Sequence, residues 1–170
     1  MTTGQVVKNE VVVVVGLGEI QVSNDPNYVL SCLGLGSCIG ISAYDPVARV
    51  GAMVHVVLPH CNVPASEKTP AKFANTALPC MLKEMEKKGA VKKRIILKIA
   101  GGAKIISTIP AKSLLDIGER NCEAIKIAIA EYKYDLKAEN LRGTLGRSMW
   151  LYIDSGITKV RTTSSPIVEL

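Results

Sequence analysis

The chain is poor in aromatic residues and in histidine, and it has no long apolar run. Only 4% of its 170 residues are aromatic, so a platform for stacking nucleic-acid bases is not expected. The net charge of +6 comes from scattered basic residues, which by themselves are not a signature of nucleic-acid binding. No segment reaches the length that a membrane span needs, and the first residues lack the features of a secretory signal. These absences predict a cytoplasmic protein that neither binds nucleic acid nor inserts into a membrane.

The five cysteines are an odd number without paired spacing, which argues against a disulfide framework. Some of them, with the two histidines, could supply metal ligands, but no Cys-x-x-Cys or His-x-x-x-His unit is present. These potential ligands are Cys32, Cys38, His55, His60 and Cys61. The glycine pairs match neither the dinucleotide-binding nor the P-loop pattern, and the pair at 101–102 is typical of a turn or close backbone packing. We therefore expect no metal and no cofactor.

The remaining pattern predicts an α+β domain. Apolar runs bounded by turn residues predict strands over 8–15, 28–33, 39–44, 51–58, 94–99 and 137–141, and a hairpin of 148–153 with 157–161. Helical spacing predicts helices over 71–89 and 119–132, with Pro79 kinking or splitting the first. We expect a layered sandwich of mixed β-sheet with two main helices packed on it, forming a single domain over 1–170 with flexible tails at 1–7 and 163–170.

One cysteine and one histidine stand out against this background. Cys38 follows a glycine-rich turn that begins at Gly34, and His55 lies in the next strongly apolar strand. A cysteine nucleophile needs a base, and histidine is the usual one, so the pair indicates a cysteine hydrolase or acyl-transfer enzyme if the two side chains meet. The backbone N–H groups around Gly36 and Ser37 could bind an oxyanion, and a helix starting there would lower the pKa of the thiol. The alternative is a buried cysteine and a histidine with a structural role.

The motifs around this pair resemble those of the chemoreceptor glutamine deamidase family, CheD. The run LGLGSCIG at 33–40 is followed by YDP at 44–46 and GAMVHVVLP at 51–59. Later motifs occur in the family's order: KFANTA at 72–77, KIAGGA at 98–103, IGERN at 117–121 and GRS at 146–148. The resemblance covers about 14–160 and adds the expectation of a cysteine-hydrolase-like fold.

The resemblance implies a specific activity. Cys38 matches the family's nucleophile and His55 its base, in the hydrolysis of glutamine side-chain amides on the cytoplasmic helices of chemoreceptors to glutamate and ammonia. It also implies a CheC-type phosphatase as a partner. This chain departs from the family pattern at Cys32, where a threonine is read as the third member of a triad. Cys32, Ser31 or a backbone carbonyl could orient His55 in its place, and we favour Cys32.

Two other functions remain open at this stage. The chain could be a non-catalytic or weakly active adaptor that binds a phosphatase or a receptor, because a thiol at position 32 is a poorer hydrogen-bond partner than a hydroxyl. It could also be a methylesterase that uses the same pair on receptor glutamyl esters. The loop over 59–70 is our candidate for one wall of the site.

Overall fold

The computed structural model describes residues 9–61, 69–106, 108 and 116–170. Its ten strands are β1 (Val11–Val14), β2 (Ile20–Ser23), β3 (Tyr28–Leu35), β4 (Ile39–Asp45), β5 (Val50–Val56), β6 (Ile96–Gly101), β7 (Asp135–Leu141), β8 (Arg147–Tyr152), β9 (Thr158–Thr162) and β10 (Val168–Glu169). They form two five-stranded sheets, with orders β1-β3-β8-β9-β10 and β2-β5-β4-β6-β7. Each sheet combines antiparallel pairs with a parallel one, β1 with β3 and β6 with β7. The predicted α+β sandwich is confirmed.

Two α-helices pack on the second sheet. Helix α1 spans Ala74–Lys87 and follows a 3-10 turn at Pro70–Lys72, and α2 spans Ile117–Glu131. Of the two predicted effects of Pro79, a kink or a split, the split is wrong, because α1 continues through that residue. Its apolar face is buried against the sheet on both sides of Pro79, at Ala77 and Leu78 before it and at Met81 and Leu82 after it. This packing outweighs the loss of one helical N–H donor. Neither helix in the described part of the chain is long and apolar enough to cross a membrane.

Strands β4 and β5 are buried on both faces and separate two apolar cores. Alternate residues such as Ile41 and Val54 face the helices, whereas Met53 faces the other sheet. Because side chains alternate along a strand, neighbouring residues of β5 face different cores. Position 54 of β5 therefore points under the helices, and position 53 points into the space between the sheets.

The ends of the chain differ from the sequence-based expectation. The segment 163–170, predicted as a flexible tail, contains β10, which pairs with β9. The backbone N–H of Leu170 also donates to the Thr158 carbonyl at 2.9 Å. The unpaired groups of an edge strand attract such a segment, which the polar sequence before it does not reveal. The predicted tail at 1–7 lies outside the described residues.

A buried carboxylate lies at the C-terminal end of β4, the end opposite Cys38. Asp45 is fully buried and accepts hydrogen bonds from Arg94 and from the backbone N–H groups of Val47, Ala48 and Val91. Burial alone raises the pKa of Asp45, but these donors outweigh it and hold the pKa well below its usual range. The carboxylate thus ties the turn after β4 to the approach to β6.

Asp45→Asn should lower the free energy of unfolding by about 3 kcal/mol and the melting temperature by roughly 6–12 °C. The reason is that the amide loses the charge that faces Arg94 and turns an NH2 group toward N–H donors. Since the folded-state pKa is depressed, the wild type has this advantage above the unfolded pKa and loses it as the pH falls below about 4. Thermal unfolding from pH 3 to pH 7 measures both effects. The matched control is the exposed Asp25→Asn, and an equal loss in both variants would contradict the role of Asp45.

Candidate active site

Cys38 immediately precedes β4, at the end of the turn that leaves β3. The pairing of β3 with β8 shifts register between Cys32 and Leu35, and Gly34 in this bulge has a φ of +66°. That left-handed conformation favours glycine, which explains one of the two glycines in the turn. No helix begins at Ser37 or Cys38, so the condition under which a helix terminus would lower the pKa of the thiol is not met.

Three consecutive carbonyl groups hold this turn in place. The Gly36 oxygen accepts from Ala103 N–H at 2.7 Å, and the Cys38 oxygen accepts from Gly102 N–H at 2.8 Å. Between them, the Ser37 oxygen accepts from the Asn121 side chain at 2.8 Å. With every carbonyl from 36 to 38 bonded, the backbone that carries the nucleophile candidate is rigidly placed.

The double glycine is required by close packing, as the sequence indicates. An added Cβ at Gly101 would lie 2.1 Å from the Cys38 oxygen, and one at Gly102 would lie 2.1 Å from the sulfur of Cys122. Both residues also have positive φ, at +125° and +65°. Only glycine allows the chain after β6 to approach the backbone of Cys38 this closely.

Strand pairing brings Cys38 and His55 to the same face of the second sheet. Gly40 lies opposite His55 in the β4–β5 pair, and Cys38 is two residues before Gly40. Cys38 and His55 are therefore diagonal neighbours, and such pairs interact on one sheet face. Cys38 packs against the core between the sheets, and an added Cβ at Gly40 would meet Met149 and Cys32 there. Glycine at position 40 therefore lets Leu35 and Met149 of the core pack directly against the backbone of β4 between Cys38 and the rest of the strand.

The loop after β1 holds His55 by its backbone and its ring. Gly18 N–H donates to the His55 carbonyl at 2.8 Å, and His55 N–H donates to the Glu19 carbonyl at 3.2 Å. The ring Nδ1 lies 3.3 Å from the carbonyl oxygen of Val15. Because a carbonyl only accepts, Nδ1 carries the hydrogen and Nε2 has the free lone pair. Nε2 is buried and has no hydrogen-bond partner among the described residues.

Cys32 and Ser31 have other hydrogen-bond partners. The Cys32 thiol is fully buried and donates to the Val54 carbonyl at 3.8 Å, and the Ser31 hydroxyl donates to the Val13 carbonyl at 3.3 Å. Of the three candidates for orienting His55, a backbone carbonyl is the one that forms a hydrogen bond with the ring. Among the described residues, no hydrogen bond joins Cys32 to His55, so the predicted role of Cys32 is not supported.

Burial governs the ionisation of the candidate pair. It raises the pKa of the Cys38 thiol above 9.0, against a smaller lowering by the residue's own backbone N–H. It lowers the pKa of His55 below 6.5, against a smaller raising by the hydrogen bond with Val15. Burial likewise raises the pKa of Cys32. At pH 7 the resting site therefore holds a neutral thiol and a neutral imidazole, the state in which histidine acts as a general base.

A cleft opens beside Ser37. It is lined by residues 103–106 and 116–118, and Ile105 and Ile106 are 55% and 58% exposed. An added Cβ at Gly36 would lie 3.0 Å from Ile105, so the second glycine of the turn makes room for this apolar wall. Residues 62–68 of the loop expected to form a wall lie outside the described residues. The described residues contain no group of three or more His, Cys, Asp or Glu that could hold a metal.

The sequence did not identify two groups at this site. A backbone carbonyl was one of the three candidates for orienting His55, but nothing marks Val15 as its source, since any residue supplies the same backbone group. Asn121 does carry a signal, because it is a polar residue on the apolar face of α2, beside Cys122 and Ile125. A polar side chain at such a position needs buried partners, and here they are backbone carbonyls.

The structure thus places a cysteine in a rigid turn and a histidine on the adjacent strand, on one face of a two-sheet sandwich. A family model described as CheD chemotactic sensory transduction matches residues 57–162. Alignments with relatives cover 92% and 96% of this chain and therefore extend over the segment 38–55, which precedes the match to the family model. The chain belongs to the CheD family.

Three of these relatives bear the name probable chemoreceptor glutamine deamidase CheD. The protein of Symbiobacterium thermophilum is 44% identical over 92% of this chain and 95% of its own length. That of Desulforamulus reducens is 37% identical over 96% and 98%. That of Archaeoglobus fulgidus is 39% identical over 85% and 88%. Among solved structures, the Bacillus licheniformis hypothetical protein YfiH aligns with a TM-score of 0.42 at 13% identity, over 78% of this chain and 60% of that one.

Proposed function

We propose that this chain hydrolyses glutamine side-chain amides of chemoreceptors to glutamate and ammonia, with Cys38 as the nucleophile and His55 as the base. The observation that carries the proposal is the state of His55. Its Nδ1 is held by the Val15 carbonyl, its Nε2 is free, and it shares one sheet face with Cys38. The name of the relatives supports the substrate class.

The chemistry follows from this geometry. The Cys38 sulfur attacks the amide carbon while Nε2 of His55 accepts the thiol proton. The N–H groups of Ser37 and Cys38 stabilise the negative oxygen of the tetrahedral intermediate. His55 then gives its proton to the leaving nitrogen, so ammonia departs and a thioester remains. Water, deprotonated by His55, cleaves the thioester and releases glutamate and the Cys38 thiol.

The third role, orienting His55, belongs in this proposal to the Val15 carbonyl and not to Cys32. Both are buried beside the pair, but the hydrogen bond of the imidazole runs to Val15. A backbone acceptor selects the tautomer with the hydrogen on Nδ1 as well as a threonine hydroxyl does. The departure at position 32 is therefore compatible with full activity.

The same proposal extends to location and partners. Receptor helices are presented in the cytoplasm, where we place this chain, and the family resemblance supports a CheC-type phosphatase as a binding partner. The exposed residues Ile105 and Ile106 beside Ser37 give the cleft an apolar side against which a helix can pack.

Mass spectrometry of a chemoreceptor cytoplasmic fragment, before and after incubation with the protein, tests the function. We expect a small mass increase at defined glutamines, from replacement of NH2 by OH, together with released ammonia. Loss of a methylene mass from a methylated fragment, with its glutamines unchanged, would indicate a methylesterase instead. A fragment that binds the protein without any change in mass would indicate an adaptor.

A further inference from the structure

Asn121 connects the two halves of the candidate site. Its Nδ2 donates to the Ser37 carbonyl at 2.8 Å and to the Val57 carbonyl at 3.0 Å. Ser37 is the neighbour of Cys38, and Val57 is two residues beyond His55. One fully buried side chain on α2 therefore joins the turn of the nucleophile to the strand of the base.

The orientation of the Asn121 amide is determined by these partners. Both are carbonyl oxygens, which need donors, so the NH2 group faces them and a flipped amide is excluded. The Asn121 Oδ1 is buried and has no partner among the described residues. The side chain thus leaves its own acceptor unsatisfied while both of its donors bind the backbone of the site.

The bond to Ser37 also directs the next N–H. In a trans peptide the carbonyl of one residue and the N–H of the next point in opposite directions. With the Ser37 oxygen held by Asn121, the Cys38 N–H points away from α2. This N–H also counteracts, to a smaller extent, the raising of the pKa of the Cys38 thiol by burial, which supports a direction toward the sulfur.

We infer that Asn121 is a positioning residue that aims the Cys38 N–H at the oxyanion formed during amide hydrolysis and sets the distance between the nucleophile turn and the His55 strand. This inference rests on the proposed function. It assigns to α2 a part in the reaction, through the backbone of the turn and without contact with substrate.

The test compares two reactions of the Asn121→Ala variant. Deamidation passes through an oxyanion, whereas alkylation of Cys38 by iodoacetamide does not. We expect kcat for deamidation to fall about 100-fold, with KM within about 3-fold, as for loss of an oxyanion donor. The alkylation rate of the Cys38 thiolate, taken from the full pH profile, should stay within about 3-fold of the wild type.

The pH profile of alkylation separates positioning from loosened structure. If the Cys38 N–H turns away, the thiol loses a favourable donor and its apparent pKa rises further. If the variant merely opens the site, water reaches the sulfur and the pKa falls toward its ordinary value. A fall in the pKa, or a parallel loss of deamidation and alkylation, overturns the inference. So does unchanged deamidation.

Two control variants distinguish a failure of this inference from a failure of the proposed function. Asp45→Asn destabilises the other end of β4, and it should deamidate normally at temperatures where it is folded. If Cys38→Ala retains activity, the proposed function fails; if Cys38→Ala is inactive while Asn121→Ala is normal, only the role of Asn121 fails.

A measurement on the wild type covers the case in which Asn121→Ala does not fold. Addition of a glutamyl aldehyde analogue to 15N-labelled protein forms a hemithioacetal at Cys38, whose oxygen occupies the oxyanion position. We expect the Cys38 amide proton to move downfield. An unchanged Cys38 amide signal, in a protein that has bound the aldehyde, overturns the inference.

Discussion

Cys38→Ala is expected to reduce ammonia release from a receptor fragment by at least about 10³-fold, because the proposed thioester forms on the Cys38 sulfur and the neighbouring thiol of Cys32 is fully buried. The N–H groups of the turn remain, but they stabilise an oxyanion only after a nucleophile has attacked. The loss should appear in kcat, since removal of the sulfur takes away the group that attacks and leaves the surrounding surface unchanged. Steady-state ammonia release measures the loss of activity in Cys38→Ala. Rapid acid quench of the wild type should trap the thioester on which this expectation depends.

The matched control for Cys38→Ala is Cys80→Ala. Cys80 is also a half-buried free thiol, but it lies on α1 and outside the site. Its removal should leave deamidation within about 2-fold of the wild type, as for substitutions away from special features. Near-normal turnover in Cys38→Ala would show that another group attacks the amide, and the proposed mechanism would then be wrong.

His55→Gln should lower kcat/KM for deamidation by about 10²–10⁴-fold, the range of general acid–base catalysis. Glutamine retains polarity but cannot accept the thiol proton at neutral pH or return it to the leaving nitrogen. The control is His60→Gln, which changes the exposed second histidine of the chain and should have little effect. Equal activity of His55→Gln and the wild type would exclude His55 as the base.

The pH dependence of the wild type gives an independent test of His55. Because burial lowers its pKa below 6.5, His55 stays neutral and able to accept a proton below that pH. The acidic limb of kcat/KM should therefore have its midpoint below 6.5 and should be absent in His55→Gln. A midpoint above 6.5 would mean that a different group, or a charged imidazole, controls the reaction.

Cys32→Ala separates the two candidates for orienting His55. If the Val15 carbonyl orients the ring, deamidation should fall less than about 3-fold, since the lost thiol bonds only the Val54 carbonyl. If Cys32 orients it, the variant should approach the loss seen in His55→Gln. A correction for stability is needed, because Cys32 is fully buried in the core between the sheets.

Local chemistry explains which elements could be predicted from the sequence. The hairpin around 154–156 and the α2 helix have strong local signals, and they form β8, β9 and Ile117–Glu131 as expected. The splitting of α1 at Pro79 was wrong because the cost of a proline is local, whereas the buried face that compensates for it is a tertiary contact. The division of the strands into two sheets could not be predicted, since pairing of β3 with β8 joins residues more than 100 positions apart.

The same distinction applies to the site. The sequence by itself determined the residue types, a cysteine after a glycine turn and a histidine in an apolar strand, and the family motifs around them. Only the tertiary structure decided what surrounds them, because the decisive groups are backbone atoms and one side chain of residues that are distant in the sequence. The Val15 carbonyl selects the tautomer of His55, and Gly102 and Asn121 bond the turn of Cys38. Such hydrogen bonds depend on the path of the backbone in the folded protein and on small residues that allow close approach. The type of a single residue does not predict them.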